Sequence, residues 1–186
     1  MAKKLSEMSL EELWQLFPIF LTQHCPCWQE WYLEECAFLL GRLPKNVKIH
    51  HIGSTAVSTI WAKPIVDILV EVPTVNGLTE CKEILTASGY LCMSENGARI
   101  SLNKGYTENG FAERVFHLHL RKSGDCDELY FRDYLIDHPE IACAYENLKL
   151  RLWKEYEYDR DGYTNAKTAF IWEYTERAKG EYGKRY

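Results

Sequence analysis

The chain has no apolar run near the ~20 residues of a bilayer span. Its first residues, Met1-Ala2-Lys3-Lys4-Leu5-Ser6-Glu7, lack an apolar stretch of signal-peptide type. Both absences point to a cytoplasmic protein with no membrane partner. Positive charge is not in excess: 22 Lys and Arg stand against 27 Asp and Glu, a net charge of −5. Nucleic acid is therefore not an expected partner on electrostatic grounds, since non-specific binding to it needs a basic surface. Local basic clusters still suit a single nucleotide. Internal repeats, low-complexity tracts and Gly/Ser linkers are missing, so one domain over residues 1–186 is expected. The cysteines number seven, an odd count without framework spacing, which argues for free thiols in a reducing compartment. Cys25-Pro26-Cys27 is the close pair, and no second pair completes a four-ligand metal site.

A useful core can still be buried, with 46% hydrophobic and 26% charged residues. Ser9 followed by Glu12 is a capping-box pattern that opens a helix. A second helix is expected over Gln29 to Leu40, ended by Gly41. Strands are read at Val47 to Ile52 and Pro64 to Val72, then a helix at Leu78 to Ala87 closed by Ser88-Gly89. Three more strands follow at Tyr90–Met93, Arg99–Leu102 and Arg114–Arg121, the first two joined by an Asn96-Gly97 hairpin turn. From Asp125 onward helices take over, at Asp127–Asp137, Pro139–Tyr156 and Tyr163–Lys179. Strands first and helices after argue for α+β rather than a doubly wound fold. The expected layout is N-terminal helices over residues 1–42, a mixed-sheet core over 43–123 and a helical cap over 124–186.

The richest segment runs from His50-His51-Ile52-Gly53-Ser54-Thr55 into Lys63-Pro64-Ile65-Val66-Asp67-Ile68-Leu69-Val70-Glu71. It reads as a strand, a Gly-Ser turn, a short helix and a strand bearing carboxylates. Gly53 lets the backbone approach a ligand, and a helix opening at Ser54 and Thr55 would offer free N–H groups to a phosphate. Asp67, Leu69 and Glu71 share one strand face. A phosphate cradle before a metal-binding carboxylate is the working end of a nucleotidyltransferase fold. A buried strand after an ordinary turn is the plain structural alternative.

His51 to Val72 resembles the GrpB family, a nucleotidyltransferase-like group. The resemblance continues through Phe116-His117-Leu118-His119-Leu120, Phe131-Arg132-Asp133-Tyr134-Leu135, Tyr145 with Lys149, and Tyr163-Thr164 with Lys167. It covers roughly His50 to Ala178 in order. One departure is Ser58-Thr59, where the family usually has Pro-Gly. The resemblance implies a nucleotidyltransferase-like mixed sheet with a helical cap. It also implies an accessory place near nucleotide or coenzyme A metabolism, because some GrpB-like domains are fused to dephospho-CoA kinase.

Asp67 is the expected catalytic residue and metal ligand, because Mg²⁺ prefers carboxylate and phosphate oxygens. Proteins resembling this pattern usually carry a second carboxylate two residues on, where this chain has Leu69. Glu71 lies on the same face but roughly 13 Å further along, too far to replace it. His117 and His119 point the same way from one strand, and with Asp67 would make a His-His-Asp metal set, whose imidazoles suit Zn, Fe, Ni or Mn better than Mg. Alternatively they hold the cap onto the sheet. Gly53, Ser54, Thr55, Lys63, Arg99, Arg132, Lys149 and Lys167 are the expected phosphate-binding residues. The competing reading for the last three is a solvated helix face, or Arg132 paired to Asp133 or Asp137. The tryptophans, Trp14, Trp28, Trp31, Trp61, Trp153 and Trp172, are assigned to packing, and His50 has no role.

These residues point first to a nucleotidyltransferase-like protein that binds a nucleoside triphosphate and a divalent metal, Mg or Mn, with an unspecified acceptor. Two alternatives stay open. One is a non-catalytic module that binds a nucleotide or another phosphorylated small molecule. The other is a His-rich metal-dependent hydrolase with Zn at the His pair.

Overall fold

Strand β2 (Val66–Val72) organises the molecule, because every residue in it except Asp67 is buried. A strand covered on both faces must be central and needs helices above and below. The computed structural model, which describes residues 3–186, supplies both layers. Helices α1 (Leu10–Leu16) and α2 (Cys27–Leu40) precede β1 (Lys48–Ile52) and β2. Helix α3 (Val75–Ala87) and strands β3 (Leu91–Asn96), β4 (Arg99–Thr107) and β5 (Gly110–Lys122) follow. The chain then turns helical in α4 (Asp127–Asp137), α5 (Pro139–Glu155) and α6 (Arg160–Tyr182). The sheet order is β1-β2-β5-β4-β3. Strands β2 and β5 run parallel, and the other neighbours are antiparallel. The expected α+β architecture with a mixed sheet and a helical cap is the observed one.

Alternation sorts the side chains between the layers. Val66, Ile68, Val70 and Val72 of β2 pack with Phe116, Leu118 and Leu120 of β5 against Trp28 and Leu39 of α2 and Leu78 and Leu85 of α3. Full burial of each such side chain is worth roughly 1.5–3 kcal/mol, so this back layer is the main hydrophobic support of the sheet. The opposite face carries Leu69, packed with Ile52, Leu129, Tyr130 and Ala178 under α4 and α6.

Local chemistry sets the boundaries. Glu12 N donates to Ser9 Oγ at 3.2 Å and Ser9 N donates to the Glu12 carboxylate at 2.7 Å, the expected capping box. Helix α2 starts at Cys27, earlier than expected, because Pro26 takes a helical φ of −56° before it. The free-thiol expectation fails here: Cys25 and Cys27 form a disulfide, their Cα atoms 5.2 Å apart, within the bridging range. The first hairpin also differs. Asn96 pairs with Arg99, so the loop is Gly97-Ala98 rather than Asn96-Gly97. Strands β4 and β5 run further than expected and slip register between Lys104 and Tyr106. Gly105 makes this bulge possible, with a φ of 93° and no room for a Cβ, which would stand 2.3 Å from Arg114 O. The turn expected near Ser58-Thr59 forms without the Pro-Gly pair. Trp172 is 68% exposed and so belongs to no core. Among the described residues no helix is long and apolar enough to cross a membrane.

Candidate functional site

Between the front of the sheet and the cap lies a cavity of about 450 Å³. Its floor is built by register. Asp67 stands beside His117 across the parallel β2–β5 pair, and Leu69 beside His119. Because side chains alternate, Asp67, His117 and His119 all rise toward the cap. His117 Nδ1 lies 3.5 Å and His119 Nε2 3.6 Å from the same Asp67 oxygen, Oδ1. Burial works to raise the Asp67 pKa, but the two imidazoles outweigh it and hold the carboxyl well below its usual range. Burial pushes His117 down, toward the neutral ring.

The wall beside Asp67 is the Gly53-Ser54 turn. Gly53 has a φ of 70°, and a Cβ there would lie 2.4 Å from Asp67 Oδ2. Glycine is thus required twice, for conformation and for clearance of the carboxylate. The expected helix after it is a single 3-10 turn, Ser54–Ala56, too short to carry a macrodipole. Thr55 is turned inward, its hydroxyl 3.0 Å from His51 Nε2. His51 in turn meets Gln29 Oε1 at 3.2 Å and stacks on Tyr32. Burial lowers its pKa to about 4, so it is a neutral strut tying the turn to α2.

The roof is basic. Lys149 from α5 donates to Ser54 Oγ at 3.0 Å and also to Trp61 O. Lys63 comes from the loop before β2 and Lys167 from α6. Their ammonium groups lie 5.3 Å and 4.1 Å from the ring centre of Tyr163. Burial, with help from neighbouring positive charge, lowers Lys63 and Lys149 to about 7. Burial lowers Lys167 to about 8. Asp67 is a carboxylate whose charge acts on both Lys63 and Lys167.

Every residue expected in the site borders this cavity, but not all are free to serve it. Arg99, at the rim, is held by both oxygens of Asp125 at 2.5 Å and 2.7 Å. Arg132 donates to Asp133 at 2.8 Å and to His51 O at 2.9 Å, so it also pins α4 to β1. Its pairing with Asp133 was one of the two readings open from sequence. Glu71 leaves the site: it meets His50 Nε2 at 2.8 Å, which gives His50 a structural role that the sequence did not suggest.

Four contributors escaped the sequence reading as site residues. Tyr163 is 1% exposed, lines the cavity, and its hydroxyl has no hydrogen-bond partner among the described residues. Its signal was the i,i+4 spacing to Lys167. Tyr106 touches His117 Nε2 at 2.8 Å, Arg160 reaches Tyr106 at 2.9 Å, and Arg121 reaches His119 Nδ1 at 3.3 Å. Tyr106 is brought to His117 by the Gly105 bulge, which has no strict sequence signature.

Comparison with known proteins agrees with the fold. A model of the GrpB protein family matches residues 18–177. The chain is 33% identical over 164 residues to a UPF0157 protein of Streptomyces coelicolor, covering 86% of this chain and 84% of that one. It is 32% identical to the glutamate-rich protein GrpB of Alkalihalophilus pseudofirmus, covering 82% and 91%. The UPF0157 protein YqkA of Bacillus subtilis is 35% identical, but the chain spans only 40% of its length. Among solved structures, the conserved protein GrpB from Enterococcus faecalis superposes with a TM-score of 0.76 at 32% identity, covering 88% of this chain and 99% of that one. The Cid1 poly(U) polymerase superposes at 0.52 with 11% identity, covering 84% and 51%, a likeness of fold alone.

Proposed function

The chain belongs to the GrpB family, and we propose that its cavity binds a nucleoside triphosphate, or a related phosphorylated small molecule, together with a divalent metal. The observation that carries this reading is the convergence of Lys63, Lys149 and Lys167, from three separate elements, on a cavity floored by one carboxylate. Buried ammonium groups are costly without a counter-charge. A polyphosphate supplies that charge, and the partnerless Tyr163 hydroxyl adds a donor for it. Ser54, tied to Lys149, completes the cradle.

A hard divalent cation fits this donor set. The Asp67 carboxylate reaches the cavity, and its Oδ2 occupies the space left by the missing Gly53 side chain. Among the described residues no group of three or more His, Cys, Asp or Glu is placed to hold a metal ion. Mg²⁺ or Mn²⁺ would accordingly be held by one protein carboxylate plus ligand phosphate oxygens, a common arrangement for Mg²⁺. The ion supplies charge neutralisation of the phosphates. In a transfer reaction an acceptor attacks the α-phosphate and pyrophosphate leaves. The lysines hold the leaving group and the Gly53-Ser54 wall fixes its orientation, so catalysis is positioning plus electrostatics.

One observation favours a second reading, nucleotide binding without transfer. Leu69 stands where related folds place a second carboxylate, and it is fully buried under the cap. Two-metal chemistry needs paired carboxylates.

Calorimetric titration with ATP and UTP, with and without Mg²⁺ or Mn²⁺, tests binding, and pyrophosphate release separates the two readings. Asp67→Ala is expected to abolish the metal dependence and leave the fold intact. Equal metal-dependent affinity in both proteins removes Asp67 from the site. The lysines set the pH dependence. Their folded pKa values lie below the ordinary 10.5, so apo stability rises with pH between about 7 and 10.5. Phosphate raises those values, so binding takes up protons. Affinity therefore falls above about pH 8, up to about tenfold per pH unit for each lysine that must be protonated.

A further inference from the structure

Arg160 and Arg121 each begin a line of contacts that ends on Asp67 Oδ1. In the first line, Arg160 Nη2 donates to the Tyr106 oxygen at 2.9 Å. That hydroxyl lies 2.8 Å from His117 Nε2, and His117 Nδ1 lies 3.5 Å from Asp67 Oδ1. In the second, Arg121 Nη2 lies 3.3 Å from His119 Nδ1, and His119 Nε2 lies 3.6 Å from the same oxygen.

A guanidinium has donors and no acceptor, and it stays protonated. His119 Nδ1 must therefore offer its lone pair to Arg121, which leaves the ring proton on Nε2. Tyr106 already accepts from Arg160, which directs its own hydrogen to His117 Nε2. The proton of His117 then sits on Nδ1. We infer that His117 and His119 serve Asp67 as paired N–H groups rather than as metal ligands, with Tyr106, Arg160 and Arg121 as the positioning residues that fix the two tautomers.

The usual surroundings of a metal-bound histidine are the reverse. There the outer nitrogen donates to a carboxylate or carbonyl, which frees the inner lone pair for the ion. Here both outer nitrogens face donors, so both inner nitrogens carry hydrogen. Zinc at the imidazoles does not fit this donor set. The two contacts to Oδ1 exceed a good hydrogen-bond length, so the neutral rings act through their oriented N–H dipoles. They face one oxygen of Asp67, Oδ1, and favour the ionised carboxylate, while Oδ2 lies against Gly53. The inference sharpens the proposed metal-and-phosphate site but rests on contacts within the protein alone, so it fails or stands independently of nucleotide binding.

The test is a long-range ¹H–¹⁵N spectrum of the histidine-labelled full chain above about pH 8, where an ordinary imidazole is neutral. Expected is His117 protonated on Nδ1 and His119 protonated on Nε2. Either ring in the opposite tautomer overturns the assignment. Tyr106→Phe keeps the ring contacts to Phe17 and Phe111, at 4.7 Å and 5.2 Å, and so preserves local packing. It should move His117 at least twofold toward the Nε2–H form and leave His119 unchanged. An unaltered His117 in that variant overturns the role of Tyr106. Zn²⁺ titration supplies the third arm. Unchanged N–H signals at both inner nitrogens are expected, and zinc-dependent loss of them restores the histidines as ligands. Absence of any nucleotide binding would sink the proposed function and leave these spectra as predicted.

Discussion

The two faces of the central sheet are made from alternate residues of the same strands and behave as different materials. On β2 the back face reads Val66, Ile68, Val70, Val72, and on β5 it reads Phe116, Leu118, Leu120. The front face of the same strands reads Asp67, Leu69, Glu71 and His117, His119, Arg121. The back face is closed by α2 and α3 with side chains that need only volume and shape. The front face meets the cap through directed contacts, such as Arg132 on His51 O and Lys149 on Trp61 O. It keeps a cavity where a packed core would have been possible. Stability is concentrated behind the sheet, and polar groups with unspent bonding capacity are concentrated in front.

Leu69 is the residue that crosses this division, being apolar on the polar face. Leu69→Asp is the largest perturbation we predict. It places a carboxylate among Ile52, Leu129, Tyr130 and Ala178, at a position with no exposure. An unpaired buried charge costs on the order of 4 kcal/mol or more. Thermal melts should show loss of folding with and without Mg²⁺. A folded variant stabilised by metal would instead mean that position 69 still belongs to a carboxylate pair, and the contrast between the faces would weaken there.

Leu118→Ala sharpens the contrast from behind. Leu118 is fully buried in the back layer between His117 and His119. Its loss should destabilise by about 2–5 kcal/mol through transfer and cavity terms. Denaturant midpoints measure this. Nucleotide affinity of the folded fraction should stay within about twofold. A large affinity change would show that the back layer tunes the site and does not merely support it.

How much of this was legible in the sequence differs between the two faces. The apolar run at Pro64–Val72 and the segment Arg114–Arg121 read as strands, and both are strands, while the Ser9-Glu12 box predicted a helix start. The order of strands and then helices gave the α+β class. The site was legible as a list: Gly53, Ser54, Lys63, Asp67, His117, His119, Lys149 and Lys167 do meet. Their states were not. Thr55 is spent on His51, four residues back, and Arg99 on Asp125, 26 residues on, because spacing alone does not say which partner a side chain turns to; Arg132 is spent in part on Asp133, a pairing the sequence left open. Tyr106 reaches His117 only through a register slip at Gly105, and no periodic pattern encodes a slip. The Cys25–Cys27 bridge likewise depends on the local backbone at Pro26, not on a count of cysteines.

The subtlest test of the two-face picture is Tyr163→Phe, which removes one oxygen from the front. That oxygen is buried and has no partner among the described residues. A buried polar group without a hydrogen bond destabilises the free protein, and deleting it with shape retained is neutral or stabilising. The apo variant should therefore melt at the same temperature or slightly higher, by up to about 1 kcal/mol in stability. If the hydroxyl instead donates to a ligand phosphate, its loss removes a hydrogen bond to a charged group, worth about 1.5 kcal/mol. ATP affinity should then fall about tenfold by calorimetry. Opposite signs for stability and binding are the signature of a group kept for a ligand. A drop in melting temperature with unchanged affinity would make Tyr163 an ordinary packing residue, and the front face would lose one of its unspent donors.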